Sequence, residues 1–174
     1  SRLRPLARAG YELQDGMRHG AVHILDPDTL DETATAGSAG VLDLAWLDIA
    51  QTAGVAYLAT ACANARLHVY SIDANAAAAP IKPFASAACN GAGDACMSLS
   101  ATAVQSGAAV HIALASTAGR LYTFTLAANG ALEPSAAWDA HTLEGWAVAF
   151  DPCDANVLYS GGDDAALLRW DLRS

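Results

Sequence analysis

Basic side chains are scarce: 9 Lys and Arg stand against 18 Asp and Glu, a formal net charge of −9. Such a chain has no basic stripe to neutralise phosphates, so no nucleic-acid partner is expected, and a cationic ligand or a basic protein surface suits it better. No apolar run approaches the ~20 residues of a membrane helix. The opening SRLRPLARAG also lacks the apolar core of a signal peptide, so no membrane is expected and the reading is cytoplasmic. The four cysteines, Cys62, Cys89, Cys96 and Cys153, form no CxxC pair and have no ligand-spaced histidine, which argues for free thiols and against zinc or a redox pair. His19, His23, His68, His111 and His141 are scattered without shared spacing, so neither metal nor cofactor is expected. Charged residues make up only 16% of the chain against 53% hydrophobic, which implies a packed core. The chain opens at Ser1 without Met and stops at Ser174 directly after a strand-like run, so a fragment is expected.

The stretch from Trp138 to Arg173, WDAHTLEGWAVAFDPCDANVLYSGGDDAALLRWDLR, organises the rest. An apolar run, Trp146 to Phe150, follows Ala140-His141. Val157 to Ser160 leads into the turn Gly161-Gly162-Asp163-Asp164, and Leu167 to Trp170 closes on Asp171. Short strands with tight polar turns make a meander. A unit of roughly 40–45 residues ending in Trp-Asp is the pattern of a WD repeat, one blade of a β-propeller. Its residue types allow a buried polar relay: His141 before the first strand, Ser160 on the second, Asp164 in the turn and Trp170 on the third. Unpaired buried donors and acceptors cost about 1–3 kcal/mol each, so a complete set rigidifies such a unit.

Weaker copies precede it. Tyr11 to Leu13 and Ala21 to Leu25 read as strands, followed by an edge-like segment, Leu30 to Thr35. Val41 to Trp46, Val55 to Thr60 and Arg66 to Ile72 form a second set, and Cys96 to Ser100, Val110 to Ser116 and Arg120 to Leu126 a third. The Ala-rich stretch around Pro80 and Pro83 reads as a loop. Third-strand positions Ile24, Tyr70, Phe124 and Trp170 recur at intervals of 46, 54 and 46 by subtraction of their numbers. Six residues earlier stand Arg18, Asn64, Ala118 and Asp164, so only the last unit carries the complete relay. The expected fold is all-β, a WD-repeat β-propeller of about three and a half blades from a ring expected to have seven. The expected units are residues 1–36 as a partial blade, 41–86 and 95–140 as blades, and 141–174 as a blade without its outer strand.

Ala140-His141, Glu144, Trp146, Ala149-Phe150, Tyr159 to Asp164, Trp170-Asp171 and Arg173, taken together, closely resemble the diphthine methyltransferase family, whose members act as diphthine methylesterases. Tyr11-Glu12-Leu13, Leu42-Asp43-Leu44-Ala45-Trp46 and Cys96-Met97-Ser98-Leu99 resemble its earlier strands in the same order, although Ala165 stands where many WD turns have glycine. The resemblance implies hydrolysis of the methyl ester of methylated diphthine on translation elongation factor 2, during diphthamide synthesis, with that factor as protein substrate. WD repeats mostly scaffold, so a non-catalytic interaction module is the competing reading.

Ester hydrolysis needs a nucleophile or activated water, a base and donors for the oxyanion. Ala36-Gly37-Ser38-Ala39-Gly40 lacks the leading glycine of a nucleophile elbow, and the strand after it makes an inter-blade connection the better reading. Imidazoles titrate near neutrality, at about 6.5, which makes His141 the obvious base, but a relay histidine should be buried and locked. Glu144 and Asp163 are freer carboxylates in loops that open on one face, either able to orient water or simply to sit solvated. The implied substrate carries a quaternary ammonium, for which Trp138 and Trp146 are candidate aromatic receptors. The place of Trp146 inside an apolar strand favours packing instead.

Overall fold

The computed structural model describes residues 5–49, 54–73, 76, 81–89, 94–103 and 109–173. Strands and turns account for the described residues, in four antiparallel sheets taken in chain order. The first holds β1 (Leu6–Ala9), β2 (Glu12–Gln14), β3 (Met17–Leu25) and β4 (Glu32–Ala39). The second is β5 (Val41–Leu47), β6 (Val55–Cys62), β7 (Arg66–Asp73) and β8 (Ile81–Ala88), paired in that order. The third repeats the meander with β9 (Cys96–Ala103), β10 (Ala109–Ser116), β11 (Arg120–Ala127) and β12 (Leu132–Asp139). The fourth has β13 (Gly145–Phe150), β14 (Val157–Gly162) and β15 (Leu167–Asp171).

Alternation along the strands sends residues to opposite faces, and three apolar clusters fill the three junctions between successive sheets. Leu58 and Cys62 of β6 pack with Val22 and Ile24 of the first sheet, whereas Tyr57, Ala59 and Ala61 face Leu99, Ile112 and Leu114 of the third. Leu121 and Ala113 meet Val148, Phe150 and Leu158 of the fourth. Fully burying one Leu, Ile or Val side chain stabilises by about 1.5–3 kcal/mol, so each sheet depends on its neighbours as much as on its own ladder.

The inner strands β5, β9 and β13, which open the second, third and fourth sheets, each carry a bulge at the second residue. Leu42, Met97 and Trp146 are the extra residues between Val41 and Asp43, Cys96 and Ser98, and Gly145 and Ala147. The inner strands are also stitched across sheets. Leu99 N donates to Asp43 Oδ2 at 2.8 Å, Val148 N to Ser98 Oγ at 3.3 Å, and Phe150 N to Ser100 Oγ at 3.0 Å. Side chains of one inner strand thus satisfy backbone donors of the next.

Three features differ from the sequence expectation, each for a physical reason. In the first sheet the turn is the two-residue Asp15-Gly16, with φ of 51° and 76°, as a type I′ hairpin requires. This tight turn extends pairing to Gln14↔Met17 and places Arg18 inside β3, not at the turn position held by Asn64, Ala118 and Asp164. The segment around Pro83 is the outer strand β8, and Pro134 likewise lies in β12. Proline is tolerated on an edge because its missing N–H need not serve a ladder. Both prolines sit beside a register shift, opposite Tyr70 and Phe124. Finally, Ala165 takes a left-handed φ of 59°, as do Ala65 at 57° and Gly119 at 72°, so the turn conformation recurs without recurrent glycine. Glycine is required at Gly119, where a Cβ would run into the carbonyl oxygens of His141 and Leu143.

Candidate functional site

The fourth sheet holds a continuous polar chain. The Trp170 indole can only donate, and its Nε1 reaches Ser160 Oγ at 2.9 Å. The Ser160 hydroxyl therefore gives its own hydrogen to His141 Nε2, 2.8 Å away. His141 Nδ1 then donates to the Asp164 carboxylate, 3.0 and 3.2 Å from its two oxygens. The ring thus bridges the Ser160 hydroxyl on one nitrogen and the Asp164 carboxylate on the other. Asp164 accepts further bonds from Thr142 N and Ala166 N, each at 3.1 Å. Desolvation, the largest single influence on Asp164, pushes its pKa up, but the hydrogen bonds from His141 and these two amides together hold it below the ordinary value. The imidazole fits because residue 162 is glycine: a Cβ there would come within 2.8 Å of His141 Cγ and Nδ1. The His141 side chain has 0% exposure, so the ring is a framework element with no face open to substrate.

The third sheet solves the same problem with residues that the sequence reading missed. Asp94, 6% exposed, accepts from Thr117 Oγ at 2.7 Å, Ala95 N at 2.9 Å and Ala118 N at 3.0 Å, with Tyr122 OH at 3.4 Å. Here the carboxylate comes from the loop before the first strand and caps the turn after the second, the reverse of the His141 to Asp164 arrangement. No sequence signal marks it, because the interval between Asp94 and Thr117 belongs to no motif.

The remaining candidates divide. Trp138 stacks edge-on against Trp170 with ring centroids 5.6 Å apart, and its Nε1 is buried without a partner, so its ring is occupied by packing. Trp146 is 52% exposed, which corrects the expectation of a packed strand residue. The bulge that opens β13 lifts it out of the alternation. Glu144 and Asp163 are exposed and adjoin, since Asp163 N donates to the Glu144 carbonyl at 2.9 Å. Leu143, 51% exposed, lies on the same loop. Leu143, Glu144 and Trp146 are thus exposed in one short run where β13 begins, and the backbone of Asp163 is bonded to that run. Ser38 lies in β4, with Oγ 3.7 Å from Cys62 Sγ, and a strand follows, so no elbow forms. Among the described residues no three His, Cys, Asp or Glu side chains assemble as a metal-binding set.

Comparison with known proteins adds two findings. Sqt1 from Chaetomium thermophilum superposes with a TM-score of 0.75 at 20% identity, over 97% of this chain and 40% of that one. A second Sqt1 structure, bound to the N-terminus of the ribosomal protein L10, gives 0.71 at 18% identity over 97% and 42%. The fold is a WD-repeat β-propeller, present here in part. In sequence, 42 residues are 45% identical to the diphthine methyltransferases of human and of mouse, and 36 residues are 50% identical to that of Schizosaccharomyces pombe. Those stretches cover 24%, 24% and 21% of this chain and 9%, 9% and 11% of the relatives' lengths. No protein-family model matches. The likeness to diphthine methyltransferases is thus local, while the likeness to the propeller runs nearly end to end.

Proposed function

We propose that this arc belongs to a cytoplasmic diphthine methylesterase that hydrolyses the methyl ester of methylated diphthine on translation elongation factor 2. The observation that carries the reading is the half-exposed Trp146 two residues after the exposed Glu144, whose carbonyl accepts the Asp163 N–H. A quaternary ammonium is attracted to an aromatic face and to nearby carboxylates, and binding there sets the ester over the same loops. Glu144 or Asp163 orients and deprotonates the attacking water. Methanol leaves and a carboxylate remains. His141, enclosed in its relay, acts as a positioning residue for the loop that carries Glu144. The local identity with diphthine methyltransferases supports this choice of substrate.

The competing reading is a non-catalytic scaffold, favoured by the locking of the one imidazole in the region. The Sqt1 fold bound to a ribosomal-protein N-terminus is an instance of that use. Incubating the protein with elongation factor 2 that carries methylated diphthine separates the two. The proposal expects methanol release and loss of the ester by mass, with Trp146→Ala slowing it at least tenfold and one of Glu144→Gln or Asp163→Asn doing the same. Persistence of the ester while the factor still binds establishes the scaffold instead.

A further inference from the structure

Two buried thiols meet where the second and third sheets join. Cys89 follows β8 and is anchored to the second sheet by its N–H, which donates to the Ala65 carbonyl at 2.8 Å. Cys96 opens β9 of the third sheet, just after Asp94 and Ala95, which are tied to the turn at Thr117. The Sγ atoms lie 3.3 Å apart, with Cys89 at 4% and Cys96 at 0% exposure, inside the apolar cluster shared by the two sheets. A disulfide has an S–S length of about 2.05 Å, so little more than an ångström of closure separates this contact from a bond.

We propose that Cys89 and Cys96 are a redox-sensitive pair whose disulfide staples the second sheet to the third. In the step, both S–H bonds break and one S–S bond forms. The two electrons and two protons pass to a small peroxide oxidant, and hydrogen peroxide is thereby reduced to two waters. The other thiols are differently placed. Cys62 Sγ is engaged by Thr60 Oγ at 3.6 Å and Ser38 Oγ at 3.7 Å, and Cys153 is exposed. The hydrogen bond to Cys89, followed by desolvation, raises the Cys96 thiol far above its ordinary value. Both thiols are enclosed, so bulky electrophiles that reach the exposed Cys153 are kept out and only a small oxidant enters, reacting slowly because a raised thiol holds little thiolate. Cross-linking the sheets removes conformations from the unfolded chain and so stabilises the folded one.

Mass spectrometry tests this directly. The native protein is first treated with iodoacetamide to block Cys153, then with hydrogen peroxide, then unfolded, alkylated and cleaved on the N-terminal side of Asp residues. Cleavage at Asp94 separates the two cysteines into peptides 73–93 and 94–138. The expected product is these two peptides joined, lighter than their sum by the two lost hydrogens, with a melting temperature several degrees above that of the reduced protein and reversal by dithiothreitol. Cys89→Ser should abolish the joined product and the melting gain together. Recovery of both peptides separate and alkylated at peroxide concentrations that oxidise an unblocked Cys153 overturns the proposal, as does a linkage from Cys62 to either partner. The wild-type mass reading stands whether or not the variant folds.

Discussion

Ser160 is the hinge of the polar chain, because it is the only group that both accepts from Trp170 and donates to His141. Ser160→Ala removes one oxygen and leaves two ring nitrogens without partners. His141 Nε2 belongs to a fully buried side chain, and Ser160 itself is 1% exposed, so water cannot replace the hydroxyl without opening the sheet. An unsatisfied buried group costs about 1–3 kcal/mol, and the partly exposed Trp170 lies at the low end, so the expected loss is about 2–4 kcal/mol. At about 2–4 °C per kcal/mol for a chain of this size, melting should fall by roughly 5–15 °C. A double-mutant cycle isolates the mechanism. Trp170→Phe already removes the indole donor, so Ser160→Ala in that background should cost at least about 1 kcal/mol less than in wild type. Urea unfolding of the four proteins measures it. Strict additivity would show that Trp170 and Ser160 do not share the bond, and the chain of donors would then be wrong.

Two adjacent carboxylates offer a second test. Asp164→Ala should lower the melting temperature by several degrees, whereas Asp163→Ala should leave it unchanged, because the Asp163 bond to Glu144 uses only backbone atoms; equal melting of the two variants would remove the relay assignment. Since the folded Asp164 has a lowered pKa, its contribution is present above the ordinary aspartate value and is lost as pH falls through the lowered one, so the wild-type advantage over Asp164→Ala should shrink on acidification below about pH 4. Across the sheet boundary, Ser100→Ala should cost about 1–2 kcal/mol by orphaning the Phe150 amide, and hydrogen exchange at that amide should rise if the bond to Ser100 protects it.

What the sequence made legible follows from what its residues bury. Strands with two buried faces, such as Arg66–Asp73 and Arg120–Ala127, carry strong apolar patterns and stood out, as did the four members of the relay. The outer strands Ile81–Ala88 and Leu132–Asp139 did not, because an edge strand needs neither alternation nor every amide, and Pro83 and Pro134 mimic loop chemistry. Trp146 misled for a related reason. Apolar neighbours predict burial only while the alternation is unbroken, and a bulge between Gly145 and Ala147 breaks it at that residue. The signal was present in the flanking Gly145 and the facing Gly161-Gly162, small residues that let two positions oppose one. Asp94 and the Cys89–Cys96 pair had no such signal, since both are products of how the chain crosses from one sheet to the next.

The stitching of the inner strands runs through the arc from β5 to β13. Counting from each bulge, Asp43, Ser98 and Ala147 are equivalent, and so are Ser100 and Ala149. The first two accept an amide hydrogen from the next inner strand, and Ser100 accepts a second one. Ala147 and Ala149 have no acceptor to offer, and both are exposed. The succession of side-chain acceptors therefore ends at β13, the strand whose bulge exposes Trp146. The relay holds His141 to Asp164, and the bond from Asp163 N to the Glu144 carbonyl ties the same turn to the segment before β13. The strand that bears Trp146 is therefore held from one side by Ser98 and Ser100, which accept from Val148 N and Phe150 N, and the turn beside it is held by the buried relay.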